Sequence, residues 1–203
     1  MLAHSLATPS RTTVHFYEID ATIIRIAQDA RLFNFLQACR PNVPITLGDG
    51  RLTLAEAPDG AYDLIIVDAF SSDAIPIHLL TREAMAMYLE KLSAHGVVVL
   101  HVSNRQLELL SVVAGIASAN GLITRVYDPE AFTSRPILAP YPSWVAAVAR
   151  SEIDFGPLSP LDWKLKASNP NRRPWTDDYS NIVGSLRILS GATSSSWISL
   201  FHP

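Results

Sequence analysis

Two apolar runs constrain the fold of this chain more than any other feature of its sequence. Residues 64–67 are continuously apolar, and residues 97–102 are apolar except for His101. Short runs without polar alternation are typical of strands in a parallel sheet that helices cover on both faces. We therefore expect both segments to be buried strands of an α/β sheet.

Strand-like and helix-like segments alternate between residues 13 and 127. Apolar, β-branched and aromatic runs predict strands over residues 13–19, 45–47, 62–67, 97–102, 122–127 and 144–149. Helical spacing of apolar residues predicts helices over residues 21–29, 32–38, 51–57, 81–94 and 107–120, with Asp20 and Thr81 as N-caps and Gly96 ending the fourth helix. This alternation predicts a doubly wound, mostly parallel α/β sheet.

The length of the chain fits one domain. A chain of 203 residues can bury a sizeable core but cannot form two large domains. We expect the domain to occupy residues 13–183, with poorly defined tails at residues 1–12 and 184–203. Residues from 151 onward are rich in proline, tryptophan and polar side chains, and we interpret them as a cover over the sheet.

Charge and cysteine content exclude several classes of function. A formal net charge of -3 gives no electrostatic reason to expect nucleic acid or anionic lipid as a partner. The single cysteine, Cys39, excludes an intrachain disulfide framework and fits a reducing compartment. No apolar run reaches the roughly 18 residues of a membrane helix, and the first residues lack a signal-peptide pattern. We therefore expect a cytoplasmic protein without a membrane span.

The histidines do not predict a metal site. His15 and His101 both lie in predicted strands, and no two histidines of the chain show the spacing of zinc ligands. We therefore expect no bound metal, and we interpret these two side chains as packed or supporting residues.

Three successive predicted strands end in acidic residues. Glu18 and Asp20 follow the first, Asp49 follows the second, and Asp68 with Asp73 follows the third. The carboxyl ends of parallel strands line the ligand crevice of nucleotide-binding folds, where carboxylates accept hydrogen bonds from ribose hydroxyls and an adenine amino group. Taken singly, each acid could equally be a turn residue or a helix N-cap. Together they predict a ligand site.

Five short segments form a pattern that extends over most of the chain. They are FYEID at residues 16–20, GDGR at 48–51, VDAFSSDAIPIHLLT at 67–81, HVSNR at 101–105 and TDDYSN at 176–181. Together they resemble the spermidine synthase family, the polyamine aminopropyltransferases, and most closely the bacterial spermidine synthase-like domains that are often fused to membrane transporter segments. The resemblance covers residues 13 to about 183 and implies a Rossmann-like, class I methyltransferase-like fold.

The resemblance implies a site for decarboxylated S-adenosylmethionine, the co-substrate of the family. Glu18 would hold the ribose hydroxyls of this molecule or of its product methylthioadenosine. Asp49 and Gly50 would face the adenine. Asp20 and Asp68 complete the set of implied cofactor-binding residues.

The resemblance also implies the residues that handle the amine. Asp68 matches the catalytic aspartate, which accepts a proton from the attacking amine, and Asp73 matches the acid that holds the amine substrate. Tyr179 is a further candidate for lining the mouth of the site, although a surface turn is an equal alternative there. In better-known synthases the two acids lie closer together, as DSSD, so the sequence does not identify which amine is accepted.

The chemistry of the reaction requires such groups on independent grounds. A protonated amine cannot attack the methylene carbon beside a sulfonium, so one carboxylate must take a proton while another anchors the distal ammonium. Two acids near the reacting centre would also repel the carboxylate of intact S-adenosylmethionine. This repulsion favours aminopropyl transfer over methyl transfer.

The chain departs from the family pattern at its amino-terminal end. Family members carry a first strand and a glycine-rich loop before the FYEID segment, and nothing before Thr13 contains a GxG pattern. Because that first strand is central, we expect its two neighbours to pair directly, to take residues 1–9 as a poor substitute, or to receive a strand from another polypeptide. The chain resembles the carboxyl-terminal part of a longer protein, and we expect weak or lost catalytic activity.

Two other functions are compatible with the same residues. One is a methyltransferase of the same fold that uses intact S-adenosylmethionine. The other is a non-catalytic remnant that binds a nucleoside or a partner. The expected partner is a small-molecule polyamine, together with a second copy or another polypeptide if either supplies the missing strand.

Overall fold

Eight strands form a single mixed sheet in the part of the protein that the structure describes. A computed structural model of the chain describes residues 13–69, 76–104, 106–127, 143–156 and 163–186 together with the backbone of residues 2–5. The strands follow the spatial order β3-β2-β1-β4-β5-β7-β6-β8. Their bounds are β1 Leu2–Ser5, β2 Thr13–Glu18, β3 Ile45–Leu47, β4 Tyr62–Val67, β5 Leu92–His101, β6 Ile123–Tyr127, β7 Val145–Ala149 and β8 Lys164–Leu165.

Within the described ranges, five α-helices connect or follow these strands. They are α1 Ala21–Gln28, α2 Phe35–Cys39, α3 Gly50–Ala55, α4 Arg82–Lys91 and α5 Leu110–Ala119. Both predicted N-caps are present, because the Asp20 side chain accepts a hydrogen bond from the Thr22 amide and the Thr81 side chain accepts one from the Ala84 amide. None of the helices in the described residues is long and apolar enough to span a membrane.

The strand directions confirm the predicted Rossmann-like α/β class. β2 pairs with β3 in parallel, as β4 does with β5. β7 runs antiparallel to both of its neighbours, β5 and β6. Because β1 runs antiparallel to both β2 and β4, these two strands also share one direction. The five strands β2 to β6 are therefore parallel to one another, and their carboxyl ends lie at one edge of the sheet.

At the centre of the sheet, a segment within residues 1–9 takes the place of the missing first strand, which is one of the three alternatives that the sequence left open. β1 lies between β2 and β4 and pairs antiparallel with both, so that Leu2 is opposite Phe16 on one side and Ile66 on the other. Only residues 6–12 connect β1 to β2, and a parallel connection needs a crossover of about a dozen residues or more. The short connection therefore forces the antiparallel direction, and β1 supplies hydrogen-bond partners to two otherwise unpaired strand edges.

The boundary between α4 and β5 corrects another prediction. The helix ends at Lys91 instead of Ala94, and Gly96 lies inside β5 instead of terminating the helix. The pairing of β4 with β5 shifts register between Tyr62 and Leu64. A Cβ atom at Gly96 would lie 2.7 Å from Leu92 Cδ2 and 3.1 Å from the Tyr62 carbonyl oxygen, so the glycine permits close approach of the two strands at this bulge.

The core lies around β4, β5 and the two long helices. Ile65, Val67 and Val98 are fully buried, as is Tyr88 of α4, whose hydroxyl donates to the Leu79 carbonyl over 3.1 Å. By contrast, no residue of α1 or α2 is buried. Helices therefore cover the β4–β5 part of the sheet more completely than the β2–β3 part.

Candidate functional site

An open cleft lies at the carboxyl ends of β2, β3 and β4. Its volume is about 460 Å³. The lining residues are Tyr17, Glu18, Ile19, Asp20, Ile23, Asp49, Gly50, Asp68, Ala69, Pro76, His78 and Leu79. Glu18, Asp20, Asp49, Gly50 and Asp68, the candidate cofactor-binding residues of the sequence analysis, all lie in this one cleft.

Glu18 and Asp20 stand at the end of β2 and share a short hydrogen-bonded turn. The Asp20 amide donates to Glu18 Oε1 over 2.9 Å, and Asp20 Oδ1 accepts from the Thr22 amide over 2.7 Å. The hydrogen bond from the Thr22 amide is the main cause of a lowered pKa at the exposed Asp20 carboxyl. Asp20 therefore acts as the N-cap of α1 while its side chain also borders the cleft.

Asp49 is fixed by the turn between β3 and α3. Its Oδ1 accepts from the Arg51 amide at 2.9 Å and the Leu52 amide at 3.1 Å, and its Oδ2 lies 2.9 Å from His78 Nε2. Burial opposes ionisation of this carboxyl, but the bonds from Leu52 and His78 outweigh that effect and lower its pKa. The site therefore holds Asp49 as an oriented anion.

The turn itself depends on Gly48. This residue has a φ of +149°, and a Cβ atom there would lie 2.6 Å from Thr53 Cγ2. Glycine is the residue that adopts such a φ without strain and leaves room for the first turn of α3. Gly48, the first glycine of the GDGR segment, therefore allows the turn that places Asp49 at the cleft.

Asp68 follows the last residue of β4, and its side chain is 63% exposed. Its Oδ1 lies 2.8 Å from Nδ1 of His101, the last residue of the neighbouring strand β5. The other ring nitrogen, Nε2, lies 2.7 Å from Ser103 Oγ, which accepts a 2.8 Å hydrogen bond from the Trp144 amide. Asp68 is thus the cleft-facing end of a hydrogen-bonded chain.

A second polar network joins the cleft to the segment after residue 163. Arg51 donates two hydrogen bonds to Asp177, at 2.7 and 2.8 Å, and the Thr81 hydroxyl donates to Asp177 Oδ1 over 2.8 Å. The bonds from Arg51 are the main cause of an Asp177 pKa lowered to about 2. Arg51 also donates to the His78 carbonyl over 2.8 Å, so the network supports the wall of the cleft.

Tyr179, a candidate for the mouth of the site, does not line this cleft. It lines a smaller cavity of about 190 Å³, where the Arg173 guanidinium lies 4.3 Å above its ring. Thr176 and Tyr179 exchange backbone hydrogen bonds across a tight turn, which is the alternative that the sequence left open. Asp73, the candidate amine-binding acid, lies outside the described residues.

The sequence reasoning missed two residues that shape the cleft. His78 contacts Asp49 from the short 3-10 turn Ile77–Leu79, and Tyr17 lines the wall with its hydroxyl 2.6 Å from the Tyr62 hydroxyl. His78 lies inside the quoted segment 67–81, but no spacing in the sequence links it to residue 49. Among the described residues, no group of three or more His, Cys, Asp or Glu side chains is placed to hold a metal ion.

The arrangement combines acidic edges with apolar walls. Carboxylates of Glu18, Asp49 and Asp68 accept hydrogen bonds from hydroxyl, amino or ammonium groups, while Ile23 and Leu79 offer apolar surface to a planar base. The cleft therefore suits a ligand that combines hydrogen-bond donors with a planar apolar group.

Comparisons with known proteins agree with this fold. The chain is a Rossmann-like α/β protein with a class I methyltransferase-like fold. It superposes on a probable spermidine synthase from Corynebacterium glutamicum with a TM-score of 0.58 at 16% identity, covering 82% of this chain and 64% of that one. No family model matches the chain.

Two curated proteins are similar in sequence over part of the chain. A polyamine aminopropyltransferase from Vibrio vulnificus is 37% identical over 84 residues, which make up 40% of this chain and 27% of that protein. A probable polyamine aminopropyl transferase from Bifidobacterium longum is 37% identical over 62 residues, 30% of this chain and 14% of that protein. The match therefore spans about a quarter or less of each relative, and over those residues the chain is similar to polyamine aminopropyltransferases, in agreement with its sequence motifs.

Proposed function

We propose that the cleft binds decarboxylated S-adenosylmethionine and transfers its aminopropyl group to a polyamine. The observation that carries this proposal is the convergence of Glu18, Asp49 and Asp68 in one cleft at the ends of three strands. The similarity to polyamine aminopropyltransferases supports it.

The nucleoside end of the co-substrate fits the side of the cleft formed by β2 and β3. Glu18 lies at the end of β2, where its carboxylate can accept both ribose hydroxyls. A carboxylate has about four acceptor positions, and Asp49 uses three for the Arg51 amide, the Leu52 amide and His78. In our proposal, the remaining position accepts from the adenine amino group.

Asp68 acts at the reacting end. The amine nitrogen uses its lone pair to form a bond to the propyl carbon beside the sulfonium, and the carbon–sulfur bond breaks with its electron pair moving to sulfur. Sulfur becomes neutral, methylthioadenosine leaves, and the proton lost by the amine passes to the Asp68 carboxylate. The resemblance assigns the distal ammonium of the amine to Asp73, and we retain that role as a proposal.

Charge favours the decarboxylated form of the co-substrate. Glu18, Asp49 and Asp68 place three acidic groups around one cleft. The aminopropyl arm of decarboxylated S-adenosylmethionine is cationic, whereas the intact molecule adds a carboxylate that these acids repel. The same charges favour a polyamine as the acceptor.

A product assay tests the proposal. The purified chain is incubated with putrescine or spermidine and with either form of the co-substrate, and products are separated by mass spectrometry. We expect weak release of methylthioadenosine and formation of a longer polyamine, and only with the decarboxylated form. S-adenosylhomocysteine formation would indicate methyl transfer instead. Calorimetric binding of methylthioadenosine without turnover would indicate a nucleoside-binding domain that has lost catalysis.

A further inference from the structure

The end of β5 places a histidine beside the candidate catalytic carboxylate. Val67 of β4 is the partner of Leu100 of β5 in a parallel pair, so the next residues, Asp68 and His101, leave the sheet side by side. On its other side, His101 pairs with Val145 of β7. The pairing of β4, β5 and β7 therefore fixes the backbone on which Asp68 and His101 meet.

The hydrogen-bond partners specify which imidazole nitrogen carries the proton. The Trp144 amide donates to Ser103 Oγ, so the Ser103 hydroxyl proton is free to be donated to His101 Nε2, 2.7 Å away. Asp68 as a carboxylate can only accept, so the proton on the ring belongs to Nδ1, which donates to Oδ1 over 2.8 Å. A neutral imidazole with Nδ1 protonated satisfies every one of these bonds.

The hydrogen-bonded series that ends at Asp68 is anchored at its other end by Trp144. Trp144 is buried, and the Val102 amide donates to its carbonyl oxygen over 2.9 Å while the Trp144 amide donates to Ser103. These reciprocal bonds hold Ser103, which in turn holds the imidazole ring. The Asp68 side chain is mostly exposed and would otherwise rotate in solvent.

We propose that His101 is a positioning residue, which fixes the Asp68 carboxylate through Nδ1–H so that the second carboxylate oxygen faces the attacking amine. Ser103 donates to Nε2 and so supports the tautomer that this role requires. The catalytic part of this inference rests on the proposed aminopropyl transfer. His101 itself does not contact the substrates; it acts by orienting the group that receives the amine proton.

Two substitutions at one position test the role. In His101→Asn the side-chain NH₂ lies near the position of Nδ1 and can still donate to Asp68, whereas His101→Leu has no donor. Because Asp68 loses its orientation in His101→Leu, we expect this variant to lower kcat about 10- to 100-fold with an unchanged KM for the amine. We expect His101→Asn to recover most of the lost kcat. Wild-type kcat in His101→Leu would overturn the proposal, and so would an equal loss in both variants, which would indicate that the ring itself takes up a proton.

A measurement without turnover separates this inference from the proposed function. ¹⁵N NMR of the imidazole rings is recorded at about pH 8, where an ordinary histidine is neutral, and the His101 signals are assigned by their loss in His101→Asn. We expect a protonated Nδ1 and a bare Nε2, and we expect Ser103→Ala to weaken this preference. A protonated Nε2 in the wild-type chain would overturn the inference. If the chain releases no methylthioadenosine, the proposed transfer fails, and the tautomer still decides whether His101 holds Asp68 in this way.

Discussion

At the scale of single residues, the carboxylates of the cleft differ in the groups that hold them. Asp20 and Asp49 cap helices, and their oxygens accept backbone amide hydrogens. Asp68 caps none of the helices that the described residues form, and its Oδ1 is held by His101. In our proposal, this carboxylate, which is held by a side chain and not by helix amides, receives the proton during the reaction.

The first prediction concerns the substitution Asp68→Asn, which keeps the shape of the side chain and removes the proton acceptor. We expect kcat for aminopropyl transfer to fall by about 10²- to 10⁴-fold, the usual contribution of a general base. Affinity for methylthioadenosine, measured by calorimetry, should change little because the nucleoside end is held by other residues. Asp63→Asn is the matched control, because Asp63 lies in β4 and contacts Ser93 outside the cleft. Unaltered kcat in Asp68→Asn would contradict the assigned role.

The pattern of acids at strand ends allowed the cleft residues to be predicted, since local sequence places each acid next to its own strand. For Tyr179 the sequence left the mouth of the site and a surface turn as equal alternatives, because its position depends on how residues 163–186 cross the rest of the molecule. His78 was missed for a related reason. Its partner Asp49 is 29 residues away in sequence, and only the fold brings the two side chains within 2.9 Å.

At the scale of elements, most strands and helices follow from their local sequence, but the ends and the pairing of some do not. β3 and the N-caps of α1 and α4 agree with prediction because short-range patterns determine them. The end of α4 differs because pairing of Leu92 with Tyr62 extends β5 toward the helix. Tertiary pairing thus overrides the helical spacing of residues 92–94.

The second prediction tests the close approach of β4 and β5 at Gly96. The substitution Gly96→Ala introduces a Cβ that meets Leu92 and the Tyr62 carbonyl oxygen, so we expect the free energy of unfolding to fall by about 1–3 kcal/mol. Gly115→Ala in α5 is the control, since a Cβ there meets nothing within 4 Å. That change should raise stability by about 0.5–1 kcal/mol, as alanine does within a helix. Urea unfolding of both variants measures the difference, and equal stability of the two would refute the close-approach argument.

At the scale of the whole molecule, one ion pair joins α3, beside the cleft, to residues 163–186 near the end of the described chain. Arg51 and Asp177 are 126 residues apart and form two parallel hydrogen bonds. The Asp177 amide also donates to Glu83 Oε2 over 3.0 Å, next to the Thr81 cap of α4. These contacts hold the segment around Asp177 against α3 and the start of α4, next to the cleft.

The third prediction is a pH dependence of stability that arises from this pair. The pKa of Asp177 falls from 3.8 to about 2 on folding, mainly through Arg51. A lowered folded pKa contributes stability that is fully present above the unfolded value of 3.8 and is lost as the pH falls toward about 2. Solvent screens this partly exposed pair, so we expect a modest effect. Asp177→Asn should therefore be less stable than wild type at neutral pH, with the gap narrowing between about pH 4 and pH 2 in urea unfolding.

The control for this effect is Asp178→Asn, which removes a neighbouring charge without touching the pair. A gap between wild type and Asp177→Asn that stays constant down to about pH 2 would contradict the assigned pKa and its link to Arg51.

The sequence by itself determined the α/β class, the order of most elements and the acids that border the cleft, because hydrophobic period, caps and strand-end residues act over a few neighbouring positions. Only the tertiary structure decided that β1 fills the central gap in the antiparallel direction. It also decided that His101 holds Asp68, 33 residues away, and that Arg51 holds Asp177. These features depend on unpaired strand edges, connection length and charges that meet only after folding, which no local pattern encodes.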